Sequence, residues 1–443
     1  MQVAYHECSP RPAAPACVPR PRPQRHACFP HKGTVTTMSQ LPSYRIRTVP
    51  ALLLACLLWT LAPVCVANAA VLDHDYIGGL LVGSHAALRA AAPDLSIPTG
   101  FLSSMDGREL WARDPTSRVA MASTTKIMTA VVVLEHAKLD DIVTVDRQAA
   151  MVGQSSMGLI VGEQFTVAEL LKGVLVQSGN DAATLIAEHV GGTVPGFVSM
   201  MNAKAAALDL QNTHYVNPHG LDAPGHYTSA ADLVSLARYA MRNPLFRDVV
   251  GTFTAKVRSN RYTHVLTSHN TLLKTYPGAE GVKTGNTNHA GFAIVFAAKR
   301  NGVGLIGAVM GAATEGDRAK QTARLFDWGF AHYRSTEVAH AGGVAGYVPI
   351  SDYLERSAAA VTADTTSVPV FDLAGPVKRK IELLPSVPAP VKAGDRLGTV
   401  TLYQGSSILA QLPLVAARDI PAPDLWQRVV FFFTRIRKGI FGA

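Results

Sequence analysis

Three short motifs stand in one order along this chain: Ser123-Thr124-Thr125-Lys126, Ser178-Gly179-Asn180 and Lys283-Thr284-Gly285. A fold that uses all three must bring distant segments to one cleft. Ser-x-x-Lys, Ser-x-Asn and Lys-Thr-Gly in this order name a reaction class, acyl transfer through a serine nucleophile. Ser123 is the only serine with a lysine three residues on, and Lys-Thr-Gly occurs once. Ser-x-Asn is looser, because Ser268-His269-Asn270 also matches. Ser178-Gly179-Asn180 is preferred, since it falls between two helical patterns, where a loop leans into a cleft.

The chemistry of each residue agrees. Ser123 precedes an apolar run, Ile127 to Leu134, with helical character. That sets it at a helix N-terminus, where free N–H groups and the positive dipole end favour developing negative charge. Lys126 lies on the same face one turn on. An ordinary lysine is protonated. It becomes a base only when burial or a nearby cation lowers its pKa, and Lys283 is the candidate cation. The Ser178 hydroxyl serves a proton relay, and the Asn180 amide holds a substrate carbonyl. Lys283-Thr284-Gly285 reads as a strand. Gly285, without a side chain, lets a substrate backbone pair against the strand edge. Thr284 offers a hydroxyl and Lys283 a positive charge for a terminal carboxylate. The backbone N–H groups of Ser123 and Asn286 are the expected oxyanion donors.

These residues resemble the low-molecular-mass penicillin-binding proteins, specifically D-alanyl-D-alanine carboxypeptidases of the penicillin-binding protein 5 type. The resemblance includes Met121 to Thr129, Leu175 to Ala182, Asn217 to Gly225, Gly281 to Gly291 and Asp327-Trp328-Gly329-Phe330, and runs from about residue 96 to 443. It implies that Ser123 is acylated, Lys126 is the base, Ser178 and Asn180 are the second-motif residues, and Lys283 and Thr284 bind the carboxylate end. Arg318 matches a family arginine near that carboxylate. It also implies peptidoglycan stem peptides as substrates and β-lactams as covalent inhibitors. Two positions depart from the pattern: Asn286 stands where histidine is frequent, and His269 where some members carry arginine. A class A-type β-lactamase needs a positioned glutamate, and between Ser178 and Lys283 only Glu188 and Glu280 occur, neither in a Glu-x-x-x-Asn loop. A D,D-endopeptidase is a closer rival, against which the C-terminal domain and helix argue. A non-catalytic scaffold is disfavoured by the intact motifs.

Charge excludes little except nucleic acid. The chain carries 41 Lys and Arg against 32 Asp and Glu, but seven of those cations and one anion lie before residue 70, leaving 34 against 31. No basic stripe remains for nucleic acid. All five cysteines, Cys8, Cys17, Cys28, Cys56 and Cys65, also precede residue 70, so the body holds no disulfide framework or zinc-type cysteine set. Fifteen histidines include His214, His219 and His226 close together, but no metal-ligand spacing appears. Hydrogen bonding or exposure is the expected fate of these rings, and no metal or cofactor is expected. Arg45 and Arg47, the apolar run Val49 to Val66 and Ala67-Asn68-Ala69 read as a signal peptide, with an uncleaved anchor as the alternative. Residues 1–37, rich in Pro, Arg and Cys and without periodicity, read as an over-called start ahead of Met38, with a genuine disordered N-terminal extension as the alternative.

The expected fold is α/β: a serine β-lactamase/penicillin-binding transpeptidase-like α/β sandwich with a helical subdomain, then a small all-β C-terminal domain and an amphipathic helix. Residues 98–113 read as a hairpin turning at Asp106-Gly107. Helical patterns cover about 123–137, 167–177, 181–190, 195–208 and 229–242. Strand-like runs return over 281–312, and a helix at about 315–332 closes the unit. From Val344, apolar runs at Val368–Leu373, Val377–Leu383, Arg396–Tyr403 and Ser407–Leu414 suit short strands. The division is 1–69 extension and signal peptide, 70–335 catalytic domain, 336–420 β domain and 421–443 anchor helix. In that last segment Leu425, Trp426, Val429, Phe432, Phe433, Ile436 and Ile440 share a face opposite Asp424, Arg428, Arg435 and Lys438. Such a helix suits an anionic lipid surface, and the resemblance implies the periplasmic face of the inner membrane; the alternative is docking on the protein's own core.

Overall fold

The computed structural model describes residues 92–441, with side chains described as far as Arg437. The expected signal segment, residues 1–37 and all five cysteines lie outside the described residues, as do the side chains of Lys438 and Ile440.

Sixteen strands occur among the described residues: β1 (Thr99–Ser104), β2 (Glu109–Arg113), β3 (Ile142–Thr144), β4 (Gln164–Thr166), β5 (Thr254–Arg258), β6 (Thr263–Thr267), β7 (Ala279–Thr287), β8 (Gly291–Arg300), β9 (Val303–Ala312), β10 (Tyr333–Ala339), β11 (Val344–Pro349), β12 (Ser357–Thr362), β13 (Thr366–Phe371), β14 (Val377–Leu383), β15 (Arg396–Gln404) and β16 (Ser407–Ala416). The principal helices are α1 (Lys126–His136), α2 (Val167–Leu175), α3 (Asn180–Gly191), α4 (Val194–Ala207), α5 (Ala230–Ala240), α6 (Glu315–Ala331) and α7 (Leu425–Phe441).

The central sheet runs β2-β1-β9-β8-β7, antiparallel throughout. Strands from both ends of the catalytic region therefore pair, and the helices between them pack together into a lobe that shares a core with the sheet. Strand β8 shows why its sequence is continuously apolar. Ala293, Val295 and Ala297 enter the core shared with the helical lobe, while Ile294, Phe296 and Ala298 enter the core under α6 with Leu325 and Phe326. A strand covered on both faces has no polar alternation to keep. Strand β7 is an edge of this sheet, so one of its sides is left for the active site.

Helix α6 leads directly into β10, which pairs with β13. A second five-stranded sheet, β11-β12-β16-β15-β14, encloses its own core around Val348, Leu397, Leu402 and Leu414. Phe371 of β13 is buried with the catalytic core and stacks edge-on to Trp328. Arg108, in the β1–β2 turn, donates to Gln404 Oε1 at 2.6 Å and to Ser407 Oγ at 3.2 Å. The pattern reading missed β10, β11, β12 and the two hairpins β3–β4 and β5–β6. These strands are short, alanine-rich or polar on their exposed side, so neither apolar alternation nor β-propensity marks them. Strand β10 also runs across the expected boundary at 335/336.

Helix α7 does not pack onto the body. Leu425, Trp426, Phe432 and Phe433 are each more than half exposed, and Val429, Val430 and Ile436 are exposed too. That removes the docked alternative for these side chains.

Candidate active site

Ser123 sits in a single 3-10 turn, Ala122–Thr125, that runs into α1. The α-helix thus starts three residues later than expected, because the chain enters through a tight corner at Ala122, whose φ is +47°. Two glycines hold this corner. A Cβ on Gly285 of β7 would come within 2.9 Å of the Ser123 nitrogen. A Cβ on Gly220 would come within 1.9 Å of the Ala122 carbonyl oxygen, and its φ of +96° is a glycine conformation. The nucleophile turn is therefore pinched between the edge strand and the loop before α5.

Lys126 is fully buried. Its Nζ lies 2.7 Å from Asn180 Oδ1, 2.6 Å from the His219 carbonyl oxygen and 3.0 Å from Ser123 Oγ. Burial, then the charge of Lys283, hold its pKa well below the ordinary lysine range, with Asp181 opposing. A neutral amine has two N–H groups and one lone pair. The two carbonyl acceptors take the hydrogens, which leaves the lone pair for the Ser123 hydroxyl. Lys283 is buried as well. It donates to Ser178 Oγ and to the Thr284 carbonyl, both at 2.9 Å, and burial with the nearby Arg318 charge lowers its pKa to about 7. Of the two Ser-x-Asn serines, Ser178 meets Lys283, whereas the Ser268 hydroxyl accepts from the Asn270 backbone N–H.

The Ser178-Gly179-Asn180 turn is stitched to the loop before β4. Ser178 adopts φ +63°. Asn180 Nδ2 donates to the Gly153 carbonyl at 3.0 Å, and its backbone N–H to the Ser155 carbonyl at 2.7 Å. Asp181, fully buried, accepts from Ser156 Oγ and from the backbone N–H groups of Met157, Gly158, Leu159 and Ala182. A buried carboxylate is tolerated here because its lone pairs are filled.

A cavity of about 220 Å³ opens over Ser123. Its lining includes Ser155, Ser178, Thr284, Gly285 and Asn286, together with His269, Phe292, Glu315 and Arg318. So Ser123, Ser178, Thr284, Gly285, Asn286 and Arg318 meet in one cavity, with Lys126, Asn180 and Lys283 directly behind it. Neither Glu188 nor Glu280 lines it. Among the described residues no cluster of histidine, cysteine and acidic side chains has the make-up of a metal site. His226 Nδ1 accepts from the Val216 N–H and its Nε2 reaches Thr125 Oγ1 at 2.9 Å; His219 Nδ1 accepts from the Leu221 N–H. Burial keeps both rings neutral, with pKa values near 4 and 3. They serve as backbone ties.

A serine hydroxyl turned toward a buried lysine, beside an edge strand and two buried basic side chains, has the make-up of a serine acyl-transfer site. The D-alanyl-D-alanine carboxypeptidase family profile matches residues 102–314, and the penicillin-binding protein 5 C-terminal domain profile matches 333–422. The D-alanyl-D-alanine carboxypeptidase DacF of Bacillus subtilis is 33% identical over 71% of this chain and 83% of the relative. DacC of Escherichia coli is 32% identical over 73% and 84%. Among solved structures, the DacD carboxypeptidase of Francisella tularensis covers 75% of this chain and 95% of its own, with TM-score 0.55 and 25% identity. The Streptomyces K15 DD-transpeptidase covers 54% and 99%, with TM-score 0.53 and 33% identity. The chain belongs to the D-alanyl-D-alanine carboxypeptidase family, with the penicillin-binding protein 5 type of C-terminal domain. It is a serine-type hydrolase of peptidoglycan metabolism.

Sequence reasoning missed Ser155, Asp181, Glu315, Phe292 and the His219 carbonyl. Asp181, directly after Ser-x-Asn, was within reach of inspection. The others act through backbone atoms or through the folding of distant loops, which no spacing announces.

Proposed function

We propose that Ser123 Oγ attacks the carbonyl carbon between the two terminal D-alanines of a stem pentapeptide. Lys126 takes the hydroxyl proton and returns it to the leaving amine. The oxyanion points to the backbone N–H groups of Ser123 and Asn286. D-Alanine departs, and water, deprotonated through the same lysine, hydrolyses the Ser123 ester. Ser178 links Lys283 to this proton path, Asn180 holds Lys126, and Lys283, Thr284 and Arg318 receive the terminal carboxylate. β-Lactams acylate the same oxygen. The observation that carries this reading is the environment of Lys126, a buried amine whose third partner is the nucleophile. Ser123→Ala should abolish both covalent labelling by fluorescent penicillin and release of D-alanine from pentapeptide. Labelling of that variant at the wild-type rate sinks the assignment.

On this reading the chain is exported by the Val49–Val66 segment, trimmed near Ala70 and held at the periplasmic face of the inner membrane by α7. The support is the open apolar face of α7, with Arg428 and Arg435 also exposed along it. Among the described residues no helix is long and apolar enough to cross a membrane. The division into a catalytic part (70–335), a β domain (336–420) and an anchor (421–443) suits that arrangement.

A further inference from the structure

Arg318 lines the active-site cavity as a cation with little access to water, its side chain 5% exposed. Its Nη2 donates to the His269 carbonyl oxygen at 3.2 Å and to Glu315 Oε1 at 2.9 Å, while its buried Nε has no partner. Glu315 differs from its partner in exposure. It is the first residue of α6, follows the Thr314 cap, and its side chain is 54% exposed. It also lines the cavity, where Lys283 and Arg318 supply the positive charge. A buried guanidinium needs a counter-ion, and two carboxylates on one Nη2 repel each other.

We propose that Glu315 is a specificity-determining residue that competes with the substrate's terminal carboxylate, and with that of the leaving D-alanine, for Arg318. With the cavity empty it neutralises Arg318 and keeps the guanidinium turned toward the pocket. An incoming carboxylate displaces it toward solvent. After cleavage Glu315 reclaims Arg318 and hastens departure of the amino acid. A ligand lacking a terminal carboxylate makes no such exchange and is indifferent to Glu315. This inference rests on the proposed role of Arg318 as carboxylate receptor.

The test is steady-state kinetics of the mature full-length protein on a pentapeptide ending in D-alanine and on its C-terminal amide. Glu315→Gln should raise kcat/KM for the acid roughly three- to tenfold through a lower KM, the size expected for removing one partly exposed competing charge. D-Alanine should inhibit that variant more strongly by a similar factor. The amide should be turned over as by wild type. A higher KM for the acid would mean that Glu315 merely orients Arg318, and a lower kcat at constant KM that it acts as a base; either overturns the proposal. Arg318→Gln separates the two layers. If it leaves KM for the acid unchanged, the carboxylate receptor is elsewhere and both readings fall. If it raises that KM while Glu315→Gln does not lower it, the competition alone is refuted.

Discussion

On the proposed mechanism Lys126 works as a base only when neutral, so activity should appear as it loses its proton. Its ordinary value is 10.5, and burial with the Lys283 charge brings it well below that. The acid limb of penicillin acylation against pH should therefore lie far below the range of a free lysine. Two neighbours push in opposite senses. Lys283→Gln removes a cation that lowers the value, and the limb should move to higher pH. Asp181→Asn removes an anion that raises it, and the limb should move to lower pH. Acylation rates measured across pH for the three proteins check the signs. Shifts in the same direction would mean that Lys126 does not answer to these charges. Lys126→Arg should not restore acylation lost in Lys126→Ala, because a guanidinium keeps its proton.

The 3-10 turn at Ser123 is approached closely by Gly285 and Gly220, two residues with no side chain of their own. Gly285→Ala should push β7 away from the Ser123 nitrogen, at a cost of about 1–3 kcal/mol in stability. A displacement of about 1 Å at a reacting centre costs on the order of 100-fold in rate. Acylation should thus fall much further than thermal stability. A Gly285→Ala protein labelled by penicillin at the wild-type rate would show that β7 tolerates the side chain and does not set the turn. Gly220→Ala meets the Ala122 carbonyl from the opposite side in a strained conformation and should lower soluble yield as well. Motif and period made much of this legible in advance. Ser123, Lys126, Ser178 and Lys283 could be placed in one cleft from their order alone, and the doubly covered β8 from its apolar run. The pinch of the turn could not, because a glycine's reason lies in whichever backbone approaches it. The Asp181 clasp was equally hidden, since its partners are main-chain amides of a loop with no sequence signature.

The proposed attachment through α7 should be separable from catalysis in this molecule. The cavity is built from the Ser123 turn, β7, α6 and the loops around Ser155 and Ser178, and the β domain is locked to that unit through Arg108, Gln404 and Phe371. The described side chains of α7 contribute nothing to either. It leaves seven large apolar side chains between Leu425 and Ile436 exposed. Full burial of such a side chain contributes about 1.5–3 kcal/mol, and partial immersion at a lipid surface a fraction of that. A third of it, summed over the seven, exceeds the cost of fixing a short helix that is already formed. Arg428 and Arg435 add about 1 kcal/mol each near anionic lipid. A stop codon after Ala422 keeps the Tyr353 hydroxyl bond to the Pro421 carbonyl and the Val391–Ile420 bridge, so the β domain should stay intact. The mature protein beginning near Ala70 should float with vesicles containing anionic lipid, and the truncated form should not. Release of D-alanine from soluble pentapeptide should be the same for both. High salt should weaken flotation of the longer form without abolishing it, because screening removes the charge attraction and leaves the apolar part. Flotation of the truncated protein would place the membrane contact elsewhere on the molecule and strip α7 of its role as the anchor.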